Sequence, residues 1–232
     1  MDRHELLELY EVRGDERDFL AAKPLYEQAL ASAPDTQLFL EYGYLLECHG
    51  RRELRQAVEQ YRRAVELDPA ADKPRYQLIL ALAALGETGE MVALYTERLA
   101  SAPEDIRQYR FLAAAHLAAG KYEEARAVLD AGLELAPGDR MLIAHRGEAK
   151  AATGDPDGAL ADWRRALELD DGDIWPLYST AFLLEREGRA DEALEAWRSI
   201  VSWCEGHDAQ LAAEYPRREL ARLRTSIQNR NA

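Results

Sequence analysis

The residues that could do chemistry are few, and their spacing is informative. Cys204 and His207 form a Cys-x-x-His pair, and Cys48 and His49 are adjacent. A zinc site needs four ligands brought together, and the two pairs are too far apart along the chain to be expected to combine. The plainer reading is a buried thiol near a helix end and a histidine in a loop. Acidic pairs such as Glu123-Glu124 and Asp170-Asp171 are plentiful. General acid–base work needs a carboxylate with an altered environment, whereas acids scattered along helices are solvated faces and caps. No Gly-x-x-x-x-Gly-Lys or Gly-x-Gly-x-x-Gly run is present to cradle a phosphate, and no nucleophile elbow. Neither a cofactor nor a metal is expected, and no catalytic residue.

Bulk properties narrow the class further. The 232 residues carry 29 Lys+Arg against 43 Asp+Glu, a formal charge of −14, and 47% are hydrophobic. That is enough apolar material to fold. The acidic balance disfavours bulk contact with nucleic acid or an anionic membrane. The start, "MDRHELLELY", does not look like a signal peptide. The run Leu78 to Leu85 is too short to span a bilayer. Two cysteines are not a disulfide framework. A cytoplasmic location is expected.

The elements that position these residues announce themselves by repetition. "AVEQYRRAVELDP", from Ala57, returns as "ALADWRRALELDD" from Ala159, 102 positions or three periods of 34 later. Glycines fall at 14, 50, 86, 120, 154 and 188, and prolines at 34, 69, 103 and 137. Another series is Ala22, Ala57, Met91, Ala125, Ala159 and Ala193. Four residues beyond each stands a large apolar residue: Tyr26, Tyr61, Tyr95, Leu129, Trp163 and Trp197. Gly suits the left-handed position that ends a helix. Small residues such as Gly43 and Gly147 let a second helix approach, and a large residue four on lies on the same face. Pro stops the second helix, and Asp105, Asp139 and Asp173 stand where the next helix needs an N-cap. Each unit thus reads as helix, Gly turn, helix, Pro/Asp turn. Asp171 takes the place of a turn proline, and Asp-Gly-Asp still stops one helix and caps the next.

This pattern resembles the tetratricopeptide repeat family, over nearly the whole chain. The resemblance implies an all-α, right-handed superhelical solenoid, a single array over 1–232. Its units are expected at about 1–35, 36–71, 72–105, 106–139, 140–173 and 174–207. A capping helix is expected within 208–229 from Pro216, Leu220, Leu223 and Ile227. Departures are Pro24 inside a second helix, expected to kink it or delay its start, and two extra residues after Gly50. Met91 and Arg98 replace small residues, so looser packing is expected in the third unit.

In this family the first helices line a concave groove, through the second, fifth, sixth, ninth and twelfth positions of each unit. Carried onto this chain, those positions include Lys73, Tyr76 and Gln77, then Arg107, Arg110 and Phe111, then His145 and Glu148. The sixth unit adds Trp175, Tyr178, Ser179 and Phe182. Lys73, Arg107 and Arg110 would form a positive patch able to hold a carboxylate, flanked by aromatic anchors. Some relatives grip a C-terminal carboxylate with Lys, Asn and Arg. Here the only asparagines are Asn229 and Asn231, so the chaperone tails those relatives hold are not expected. The expected function is a non-enzymatic scaffold binding a peptide, acidic or carboxylate-bearing, with no nucleic acid or membrane partner. Self-assembly through the terminal units, giving a homo-oligomer, is the alternative. A divergent enzyme is a third reading with no motif behind it. The basic tail, Arg217, Arg218, Arg222 and Arg224, has no assigned role.

Overall fold

A computed structural model describes residues 3, 5–7, 10, 16–49, 53–170, 172–207, 209 and 212–230, with 229 and 230 described by backbone alone. Gly14, Gly50, the two residues after it and Asp171 lie outside the described residues. The fold is all-α. Helices α1 to α6 are Glu16–Ser32, Thr36–His49, Leu54–Leu67, Lys73–Leu85, Gly89–Ser101 and Ile106–Ala118. Helices α7 to α12 are Tyr122–Leu135, Arg140–Ala152, Pro156–Leu169, Trp175–Arg186, Ala190–Gly206 and Glu214–Arg230. The chain divides into two compact units, 1–101 with 114–120, and 102–113 with 121–232.

In the first unit α1 packs on α2, α2 on α3, and α3 on α4, while α2 also touches α4. A ring seated on bare backbone sets the spacing. Tyr61 of α3 is fully buried against Gly43 of α2, where a Cβ would come within 2.5 Å of its ring. Its hydroxyl donates to Glu47 Oε2 at 2.7 Å. Pro24 sits in the interior of α1 without delaying its start, since the helix already begins at Glu16. Met91 of α5 is buried and Arg98 exposed.

The second unit repeats the arrangement. Helix α7 packs on α8, α8 on α9, α9 on α10 and α10 on α11, and α8 also meets α10. Trp163 of α9 lies over Gly147 of α8, where a Cβ would be 2.6 Å from Nε1. That Nε1 donates to the Ala144 carbonyl at 3.0 Å. An ion network around the buried Asp162 ties the same helices together. Asp162 of α9 accepts from Arg146 Nε and Nη2, both at 2.8 Å, and pairs with Lys150 at 2.8 Å. The two cations, both hydrogen-bonded to the carboxylate, hold the Asp162 carboxyl below its ordinary value although burial alone would raise it. Helix α12 covers α11 with Leu220, Leu223 and Ile227, as the tail's helical spacing predicts. Pro216 is its third residue.

The turns follow from local chemistry. Gly86, Gly120, Gly154 and Gly188 all take positive φ, between 70° and 84°. After three of them the next N–H reaches back five residues, from Glu87 to Leu82, Asp155 to Lys150 and Arg189 to Leu184, the pattern that satisfies the last carbonyls of a helix. Asp35 and Asp139 accept the backbone N–H three residues on, from Leu38 and Leu142, while Asp105 and Asp173 accept that of Arg107 and Trp175 two residues on.

The packing of Trp163 gives a direct test. Alanine in place of a helical glycine gains up to about 1 kcal/mol from propensity. At Gly147 the new methyl meets a ring pinned by its own hydrogen bond, so Gly147→Ala is expected to lose about 1–3 kcal/mol net. Gly89→Ala, where a Cβ meets nothing within 4 Å, is expected to be neutral or stabilising. Urea denaturation of the two variants measures both, and equal midpoints would refute the close approach.

Candidate functional site

The candidate residues fall in both units. In the first, Lys73 opens α4 and is exposed, while Tyr76 and Gln77 are half-buried on the same helix. Lys73 and Gln77 line a cleft of about 370 Å³ with Gln37, Leu40, Glu41 and Tyr44 of α2. Glu41 is already engaged there, accepting from Gln37 Nε2 at 2.8 Å and from the Tyr26 hydroxyl at 3.4 Å.

In the second unit, the cations of α6 are not loose charges. Arg110 donates from Nε to both oxygens of Asp139, at 3.2 and 3.0 Å, and from Nη2 to Oδ2 as well. Asp139 also accepts the Leu142 N–H at 3.0 Å. One carboxylate therefore caps α8 and holds an arginine from the preceding first helix. The device recurs one repeat on. Arg140 Nη1 donates to Asp173 Oδ2 at 2.9 Å, and Asp173 Oδ1 accepts the Trp175 N–H at 3.0 Å. Arg110 of the expected positive patch is thus neutralised by Asp139. The Arg107 guanidinium stands 6.0 Å above the Phe111 ring, a cation–π distance. Phe111 itself is only 1% exposed, which corrects its assignment as a surface anchor. It is a core residue, in a stretch of α6 that is buried from Phe111 to Ala115.

His145 of α8 lies beside the same ion pairs. Burial pushes it down to about 4, with Asp139 and Asp173 opposing and Arg110 and Arg140 assisting. Glu148, one turn on, is exposed. Among the described residues no group of three His, Cys, Asp or Glu could hold a metal. Cys204 is buried, and His207 stacks on Trp203 at 4.0 Å.

The aromatic residues of α10 are arranged differently. Trp175, Tyr178, Ser179 and Phe182 share one face at i, i+3, i+4 and i+7. Trp175 is 62% and Phe182 47% exposed. Tyr178 and Ser179 are half-buried. Tyr178 and Phe182 stack at 6.2 Å, and both stand nearly perpendicular to the fully buried Trp197 of α11, at 5.9 and 5.3 Å. Trp197 Nε1 donates to Glu185 Oε1 at 2.6 Å. Sequence reasoning missed Tyr215 of α12, which meets the same Trp197 edge-on at 5.8 Å and is 43% exposed. Its signal was the i, i+3, i+7 spacing of Tyr215, Arg218 and Arg222.

Paired helices with a small-residue seat, a glycine turn and an Asp cap define a helical-hairpin repeat protein, a class that presents side chains without itself requiring a reactive centre. Tetratricopeptide repeat profiles match residues 11–70, 106–149 and 174–199. The chain belongs to the tetratricopeptide repeat family. No curated protein matches it. Among solved structures it is similar to a thermophilic TPR protein of Thermus thermophilus, with 24% identity over 81% of this chain and 98% of that one, at a TM-score of 0.59. A MamA fragment from Desulfovibrio magneticus RS-1 is 20% identical over 75% and 97%, at 0.50. The APC/C hetero-tetramer Cut9–Hcn1 is 16% identical over 85% of this chain and 38% of that one, at 0.52. At these identities the likeness concerns the fold. Among the described residues no helix is long and apolar enough to cross a membrane.

His145 makes stability depend on pH. Its folded value of about 4 lies below the ordinary 6.5, so the unfolded chain binds its proton first. Its contribution is complete above the ordinary value and is lost as pH falls from 6.5 towards 4. Urea midpoints at pH 7 and pH 4.5 are expected to differ less in His145→Gln than in the wild type. An unchanged difference would refute this account.

Proposed function

We propose that the chain is a non-enzymatic interaction scaffold. Its second unit holds a peptide segment, one with carboxylates beside apolar side chains, across the first-helix faces of α6, α8 and α10. The observation that carries this reading is the exposure of Trp175 and Phe182 on one face of α10. Large rings left in water on a braced surface mark a binding face, and aromatic anchors supply most of the energy of such contacts. Arg107, on α6 of the same unit, offers a guanidinium to a carboxylate. Three of the acids nearby are spent on structure. Asp139 caps α8 and binds Arg110, Asp173 accepts the Trp175 N–H and binds Arg140, and Glu185 holds Trp197.

The test is selection of a displayed library of random 12-residue peptides on the full chain. The combined variant Trp175→Ala/Phe182→Ala is expected to bind the selected peptides at least about tenfold more weakly, with unchanged helical circular dichroism. Arg107→Ala is expected to weaken acidic peptides selectively. Arg110 is a poor probe, because removing it strips a buried Asp139 of its partner. Selected peptides that bind the aromatic variant as they bind the wild type would sink the assignment.

A further inference from the structure

We infer that α12 is part of the docking face as well as a cover for α11, and that its Tyr215–Arg218–Arg222 stripe selects acidic residues in the bound peptide. This rests on the peptide-binding reading of α10. The stripe lies on one face of α12, at i, i+3 and i+7. At one end Tyr215 packs edge-on against Trp197, the ring on which Phe182 and Tyr178 also stand. At the other end Arg222 Nη2 donates to Glu185 Oε2, on α10 one turn beyond Phe182. The carboxylate of Glu185 therefore joins three helices, accepting from Trp197 through one oxygen and from Arg222 through the other. Arg222 also donates to Glu219 at 2.6 Å.

Arg218 is different. It is exposed, lies between Tyr215 and Arg222 on the stripe, and makes no ion pair among the described residues. Its neighbour Arg217 is taken by Glu205 at 2.8 Å. A guanidinium beside half-exposed rings, in a chain of net charge −14, has its natural complement in a carboxylate from outside. The rings take an apolar side chain, and Arg218 takes an Asp or Glu a few residues along the same segment. A Lys or Arg of the peptide at that place would meet the like charge of Arg218.

The experiment compares peptides selected on the wild-type chain from the same random 12-residue library. Against these peptides Arg218→Glu is expected to bind about tenfold more weakly, and to recover when the peptide's acid is replaced by Lys. Tyr215→Ala is expected to weaken them similarly. Arg218 is exposed, so its variant is expected to keep the fold even where Tyr215→Ala does not. If Arg218→Glu keeps wild-type affinity while Trp175→Ala/Phe182→Ala loses it, α12 is only a cover and the peptide face of α10 stands. If neither variant loses affinity, or no peptide is recovered, both readings fall.

Discussion

Two helix pairs are joined by a large ring laid on a backbone that has no side chain. Tyr61 on Gly43 and Trp163 on Gly147 bring their helices nearer than any pair of ordinary side chains allows. Burying such a ring is worth about 2–3 kcal/mol, but its polar atom must then find a partner. Each ring solves that on the helix it faces, Tyr61 through Glu47 and Trp163 through the Ala144 carbonyl. The hydrogen bond fixes the ring, and the fixed ring fixes the helix pair. The other features of a repeat, its glycine turn and its aspartate cap, then have a constant geometry to join.

The aspartate caps carry a second constraint. An N-cap carboxylate needs only one oxygen for the helix it starts. At Asp139 the remaining capacity goes to Arg110 of the preceding first helix, and Asp173, beside the start of α10, likewise binds Arg140. Capping and stacking are thereby coupled within the second unit, since the side chain that starts one repeat also grips the one before it. The same pairing redistributes charge. Arg110, part of the patch read along the sequence, is balanced by Asp139 where it stands, and burial lowers the pKa of the nearby His145.

What was legible in the sequence follows the range of the forces involved. Glycine turns, Asp caps and the small-to-large spacing are set within a few residues, and at Gly86, Gly120, Gly154, Gly188 and Asp139 the structure places them as expected. The covering helix was legible too, because Leu220, Leu223 and Ile227 keep helical spacing. Side-chain partners across repeats were not. Arg110 and Asp139 are separated by 29 residues, and nothing in either local pattern says that they meet. Phe111 was misplaced for a related reason. Position within a repeat fixes a direction only to within a fraction of a helical turn, and that fraction separates a surface ring from a core ring.

The aromatic face of α10 shows how exposure and rigidity coexist. A surface ring on a bare helix turns among rotamers and loses entropy when it binds. Tyr178 and Phe182 do not have that freedom, since each stands edge-on against a tryptophan with no solvent exposure. That tryptophan is held in turn by Glu185. The ordering of these rings is therefore a cost met on folding rather than on association. Trp175, further from Trp197 and more exposed, lacks the same bracing. A segment lying along α10 would meet a preset pair of rings at Tyr178 and Phe182 and an adjustable one at Trp175, which suits an extended ligand whose register is set at one end and accommodated at the other.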